Sequence, residues 1–415
     1  MIGLRRSTFT SNSFSLLVIL VLSILTITPK FYDSTYLMAL WGLFFLLKLH
    51  TLNRSNGILG HLFTLGVIYV FICLVYKLLG ISSASMGYCI LAPFFYFVPV
   101  FALMIIDRCE NEQQIRFLFH FLALAVAFNI ADNIWLSYEY GIDNLVFQNL
   151  GGKLEEEGLT ELNFGGSQFV NMSVFYACMM FMAFLKSNNR NEKYLFLVYW
   201  GISAYFIVFC SLKASAVILL LLSLALMYIS YKTKGKNGNM LTLTAIVGAL
   251  LFFLRDGIFN FLIDIIDSDR ITVRLMSLTT EGDVEDSSLM GRSNLWLVSI
   301  QSWLSSLISF FFGIGSHNWK DFMTTAESGV GNHSDWLDVL AKYGIIGALI
   351  LYSSLKEYYE YLNNKYGNSF KYEILSFFLL ILIMGLTKKI VNAQPAIMIF
   401  ILFPLTLKYC SYKVS

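Results

Sequence analysis

Long apolar runs, interrupted at intervals by short polar segments, set the layout of the chain. Many approach the ~20 residues that a helix needs to cross a ~30 Å hydrocarbon core. The pattern predicts twelve such helices. The first six are Phe14–Thr28, Tyr36–Leu49, Ile58–Leu79, Met86–Ile106, Phe117–Tyr138 and Phe169–Leu185. The others are Tyr194–Ser211, Ala214–Tyr231, Leu241–Leu254, Trp336–Leu355, Tyr372–Leu386 and Ala396–Tyr409. No internal repeat is visible. The expected fold is all-α: a multi-pass transmembrane helical protein of twelve spans with one large outer loop. Three stretches follow: residues 1–254 with nine spans, the loop 255–335, and residues 336–415 with three more.

Composition agrees. The 415 residues are 57% hydrophobic and 13% charged, against roughly 25% charged in a soluble protein. The mean hydropathy is +0.66. Arg5 and Arg6 before Phe14–Thr28 mimic a signal peptide, but no Ala-x-Ala cleavage site follows, so this run is read as a retained first helix. The six cysteines (Cys73, Cys89, Cys109, Cys178, Cys210, Cys410) fall in predicted helices or at their ends. They read as small buried hydrophobes, not as a disulfide framework or a CxxC metal site.

Charge supplies the orientation. With the N-terminus inside, 17 of the 29 lysines and arginines fall in inner segments, including the dense cluster Lys232, Lys234 and Lys236. Both termini are then cytoplasmic. Two outer loops are long. Residues 139–168 carry six carboxylates against Lys153. Residues 255–335 carry eleven acids against Arg255, Arg270, Arg274, Arg292 and Lys320, so these arginines are no generic basic surface. Their plain reading is pairing with neighbouring acids, which contributes little when exposed. Within this loop Trp296, Ile300, Trp303, Leu304, Leu307 and Phe311 recur at helical spacing, with Ser299, Ser302, Ser306 and Ser309 opposite. That predicts an amphipathic helix in the outer membrane interface, ended by Gly313 and Gly315. The alternative, a thirteenth span, would invert everything after it.

Candidate chemistry collects in GNHSDWLDVLAKYGIIGALILY, residues 331–352. Asn332 is predicted to cap its helix. On a continuous helix His333, Leu337, Leu340, Gly344 and Gly347 share one face, while Asp335, Asp338 and Lys342 lie near the opposite one. Asp338 and Lys342, i,i+4 with the acid first, read as a structural pair, and Asp335 suits the positive end of the helix dipole. Gly344 and Gly347 read as close helix packing or as a groove for a lipid chain. Of the five histidines, only His317 and His333 map to the outer face. Lys213, in CSLKASA at an outer turn, has no acidic neighbour in sequence. It is either a snorkelling side chain or a ligand for an anion. Asp283, Glu285 and Asp286 read as a solvated turn.

His333-Ser334, nine residues, then Gly344-Ile345-Ile346-Gly347 resembles the His-(Asn/Ser/Gln)-x9-Gly-x-x-Gly motif of the O-antigen polymerase and O-antigen ligase superfamily of bacterial inner-membrane glycosyltransferases. Gly291–Trp296 (GRSNLW) and Phe312–Trp319 (FGIGSHNW) are similar to that family's outer loop, here periplasmic. Ser211-Leu212-Lys213-Ala214 resembles its Ser-Arg turn, with lysine, a point charge, in place of the arginine fork. The resemblance covers the second half of the chain. It implies that a sugar hydroxyl attacks the anomeric carbon of a glycan held on undecaprenyl pyrophosphate, releasing the lipid pyrophosphate. Lys213 and Arg292, with Arg274 or Arg270, would hold the pyrophosphate. His333 would be the general base, or would donate to the phosphate. The implied partners are the lipid-linked glycan, membrane lipids, a chain-length regulator and a flippase; no nucleic acid, cofactor or metal is implied.

Competing classes are weighed on charge placement. A transporter or lipid-linked-sugar flippase would set its polar groups at the bilayer midplane, often in repeats. A glycosyltransferase using lipid-monophosphate sugars would need acids in the first outer loop, where Asp33 stands alone. A scaffold explains hydropathy but not the outward His333, Arg292 and Lys213. Within the superfamily the expectation is a polymerase, with ligase transfer to lipid A core as the alternative.

Overall fold

A computed structural model describes residues 3–31, 34–48, 57–83, 86–140, 162–211, 213–233, 288–316, 330, 334–387, 390 and 392–414. All regular structure among them is helical. The helices are α1 (Gly3–Ile27), α2 (Thr35–Lys48), α3 (Ile58–Leu78), α4 (Met86–Asp107), α5 (Glu112–Glu139) and α6 (Ser167–Lys186). Then come α7 (Arg190–Tyr205, continuing as a π-helical turn Phe206–Cys210), α8 (Ala214–Thr233), α9 (Ser288–Leu304) and α10 (Leu307–Phe312). α11 is Asp335–Thr387, and α12 runs from Ala393–Ile397 through a π-helical turn, Met398–Leu402, into Phe403–Val414. Every expected span falls in one of these helices except Leu241–Leu254, which lies outside the described residues.

Apolar sequence makes these helices, and polar side chains cap the start of some of them. Asn111 accepts the Gln114 N–H at 3.2 Å, and Asn189 accepts that of Asn191 at 2.9 Å. Hydroxyls within the apolar runs, such as Ser137, Ser173 and Ser230, donate to the carbonyl four residues back, which satisfies them inside hydrocarbon. Among the described residues seven helices are long and apolar enough to cross a membrane: α3, α5, α6, α7, α8, α11 and α12. α12 is buried along its length, and α1, α4, α5, α6 and α11 pack around it. Leucines and phenylalanines on the outer helices, such as Leu46, Phe71 and Phe128, point away from this core, as expected where the solvent is lipid.

α11 is one helix in name only. Its 53 residues would extend about 80 Å if straight, far beyond a ~30 Å core. It departs from helical geometry at Gly344 and again at Phe370 (φ −135°, ψ 20°), leaving pieces 335–343, 345–369 and 371–387. The chain doubles back: the Trp336 indole N–H donates to the Leu382 carbonyl at 2.7 Å and the Ser334 hydroxyl to that of Gly385 at 3.2 Å.

Charge separates the two ends of the bundle. At one end Lys186 pairs with Glu373 (2.6 Å), Lys413 with Glu192 (2.8 Å) and Lys365 with Asp107. There Lys408 also donates to the carbonyls of Ile106 (3.1 Å) and Cys109 (2.6 Å). These pairs tie α6 to α11, α12 to α7, and α4 to both α11 and α12. The opposite end holds Lys213, the loop 313–316 and the start of α11.

Candidate functional site

The site end is built around the break in α11. Gly344 takes φ 62° and ψ −160°, so the 335–343 piece stops there with its last carbonyls open. The loop after α10 closes them. Ile314 N–H donates to the Ala341 carbonyl at 2.8 Å and Gly315 N–H to the Lys342 carbonyl at 2.9 Å. Two glycines make this approach possible. A Cβ on Gly313 would lie 2.3 Å from the Lys342 carbonyl carbon, and one on Gly344 would lie 2.4 Å from that of Phe311. The far side is tied to α3. The Tyr76 hydroxyl donates to the Phe312 carbonyl, and Ser316 N–H donates to the Ser82 hydroxyl at 2.9 Å. Tyr343 exchanges a hydrogen bond with Ser316 (2.9 Å) and packs against the rings of Tyr69 and Tyr76.

This break corrects the expectation of one continuous helical face through Gly347, because the phase set by residues 335–343 is lost at Gly344. Gly347 instead leaves room for the Tyr343 side chain, whose Cβ a methyl there would meet at 2.3 Å. The cap also moves. Asn332 lies outside the described residues, and α11 starts at Asp335, with the Leu337 N–H pointing to the Ser334 hydroxyl at 3.4 Å. Asp338, expected beside Lys342, has other partners: its carboxylate accepts the Ser299 hydroxyl at 3.2 Å and the Ser334 N–H at 3.4 Å. Asp335 accepts the N–H of Ile390.

The expected amphipathic helix is two helices. α9 ends at Leu304, and Ser306 starts α10 with a reciprocal capping box to Ser309. Its polar side faces the protein: Ser299 and Ser309 are buried, while Leu297, Leu304, Leu307 and Ile308 are exposed, Leu307 to 80%. A surface with this inside-out pattern is matched to lipid.

From Asp335 a polar path crosses this end to Lys213. Ile390, which Asp335 holds, precedes Asn392 and Gln394. The Gln394 amide donates to the Ile27 carbonyl at 2.9 Å. Three residues on, Lys30 N–H donates to Asn163 (2.9 Å), which donates in turn to Asp132 (3.0 Å). Asn133 donates to the Asn163 carbonyl (3.1 Å) and accepts Gly165 N–H (2.6 Å). Ser167 then opens α6, and its hydroxyl accepts from the Lys213 ammonium at 2.7 Å. The amide oxygen of Gln394 and the amide nitrogen of Asn392 are buried with no partner among the described residues, a cost of about 1–3 kcal/mol each. The asparagines were not singled out from sequence. Their signal was there: Asn129, Asp132 and Asn133 interrupt the last turns of an apolar run.

Of the expected site residues, Lys213, Gly344 and Gly347 are placed as above. Arg292 lies in the first turns of α9, seven residues before Ser299. His333, Arg270 and Arg274 lie outside the described residues, although Ser334, next to His333, is fixed to Asp338 and Gly385.

Residues 199–352 match a protein-family model described as O-antigen ligase. The matched stretch takes in Lys213, Arg270, Arg274, Arg292, His333, Gly344 and Gly347. No curated protein matches the chain.

Proposed function

We propose that this chain, whose residues 199–352 match the O-antigen ligase family model, is a polymerase of the O-antigen polymerase and ligase superfamily, joining undecaprenyl-pyrophosphate-linked repeat units at the periplasmic face of a bacterial inner membrane. A glycosyltransferase-like activity on surface glycan goes with the family. The observation that supports the finer reading is placement: Lys213, the 313–316 loop and Ser334, far apart in sequence, lie at one end of the bundle, away from the Lys–carboxylate belt, and Ser299 of α9 bonds Asp338 there.

In the proposed reaction the acceptor sugar oxygen forms a bond to the anomeric carbon. The bond from that carbon to the pyrophosphate oxygen breaks, and its electron pair leaves with the lipid pyrophosphate. The hydroxyl proton goes to His333. Lys213 and Arg292, with Arg270 or Arg274, meet the charge that grows on the leaving group, where cations favour the transition state over the ground state. Lys213 stands at the turn before α8, where its ammonium donates to the Ser167 hydroxyl at the start of α6. The exposed apolar side of α9 and α10 fits the outer leaflet, where the lipid tail of the donor would lie beside it.

Lys213→Met is expected to lower polymerisation about 10- to 100-fold, the worth of one charge-assisted phosphate contact, while Lys213→Arg retains most of it. The readout is the glycan ladder in a strain lacking its own polymerase. An unchanged ladder from Lys213→Met removes that residue from the site. Orientation has its own check. A phosphatase reporter fused after Ser316 should be active, as expected of the periplasm, and an active cytoplasmic reporter at the same point would reverse the assignment.

A further inference from the structure

At the end of the bundle away from Lys213, a cavity of about 470 Å3 opens between the first turn of α3, the end of α4 and the middle piece of α11. The volume is in the range of small-molecule sites, about 300–1,000 Å3. Ile58, Leu59 and Met104 give it an apolar wall, and Arg108, Asn364 and Lys365 a polar one. The one lining carboxylate among the described residues, Asp107, is already engaged by the Tyr361 hydroxyl and the Lys365 ammonium. Arg108 is exposed and makes no ion pair among the described residues, so the described lining carries two cations against one carboxylate. Lys408, just behind, is committed to the backbone carbonyls of Ile106, Asp107 and Cys109.

We propose that this cavity binds a phosphate monoanion through Arg108 and Lys365, as carried by the phosphodiester of an anionic phospholipid. The surplus charge asks for one negative charge, and the guanidinium fork suits two phosphate oxygens. The apolar wall beside it suits the glycerol and first methylenes of a lipid better than a free ion. Basic pockets between helices on the cytoplasmic side are places where anionic headgroups dock. Under the orientation proposed above, this cavity faces that leaflet. The site is separate from the glycan chemistry and stands or falls without it.

The test uses the detergent-solubilised full chain, with thermal unfolding followed as lipid is titrated. Phosphatidylglycerol is expected to raise the midpoint by several degrees where phosphatidylcholine does not. Arg108→Gln should raise the phosphatidylglycerol concentration needed at least about tenfold. Lys232→Gln, which removes an exposed lysine elsewhere on the same end, should leave it unchanged. Lys365→Met should act like Arg108→Gln, and since it also breaks the Asp107 pair, Arg108→Gln is the cleaner variant. A separate arm with inorganic phosphate identifies the source. Stabilisation by phosphate that Arg108→Gln removes shows that the anion suffices; none shows that the lipid body is needed. Equal shifts from the two lipids, or equal losses in Arg108→Gln and Lys232→Gln, would overturn the proposal.

Discussion

Gly344→Ala is expected to destabilise the protein by about 2–5 kcal/mol, combining the left-handed backbone penalty for an L-residue with overpacking against the Phe311 carbonyl. Two features leave little room for escape. The φ of 62° is fixed by the break in α11, and the obstructing atoms are backbone, which cannot rotate aside as a side chain could. Moving the 313–316 loop outward would reopen the Ala341 and Lys342 carbonyls, so the loss spreads to their hydrogen bonds. Gly201→Ala is the control. It lies in α7 with nothing near its added methyl, and alanine is the better helix former there. Unfolding midpoints of the two purified variants give the comparison. A Gly344→Ala protein as stable as Gly201→Ala would mean that the break does not need glycine.

His333→Ala and Arg292→Ala carry the second large effect, on activity and not on folding. Losing a general base costs about 10²–10⁴ in rate, and losing one donor to developing charge about 10²–10³. Cells making either variant are therefore expected to show single-repeat glycans with normal amounts of the protein in the membrane. A pH profile separates the two roles open to His333. As a base it must be neutral, so the rate falls as pH drops through the imidazole range near ~6.5. As a phosphate donor carrying a proton, it would lose rate as pH rises. Full-length ladders from both variants would remove the proposed catalytic pair.

The helices were legible because burial in lipid forces a long apolar run and leaves little room for anything else. α3 and α5 could be placed from Ile58–Leu79 and Phe117–Tyr138 to within a few residues. The break at Gly344 was not legible. A period of 3.6 assumes an unbroken backbone, and what breaks this one is a contact with Gly313 and Phe311 about thirty residues away. The division of α9 from α10 was written in Ser306 and Ser309, but those serines also fit a polar stripe, and the stripe was the simpler pattern. Lys213 was legible as a cation out of place. Its partner Ser167 was not, since nothing in sequence joins residues 46 apart.

The most direct measurement gives the purified full chain a single substrate, an undecaprenyl-pyrophosphate-linked repeat unit, with no lipid A core present. Lipid-linked dimers and longer glycans should appear together with free undecaprenyl pyrophosphate, and Lys213→Met should suppress both in parallel. Repeat units that stay single until lipid A core is added would contradict the polymerase reading.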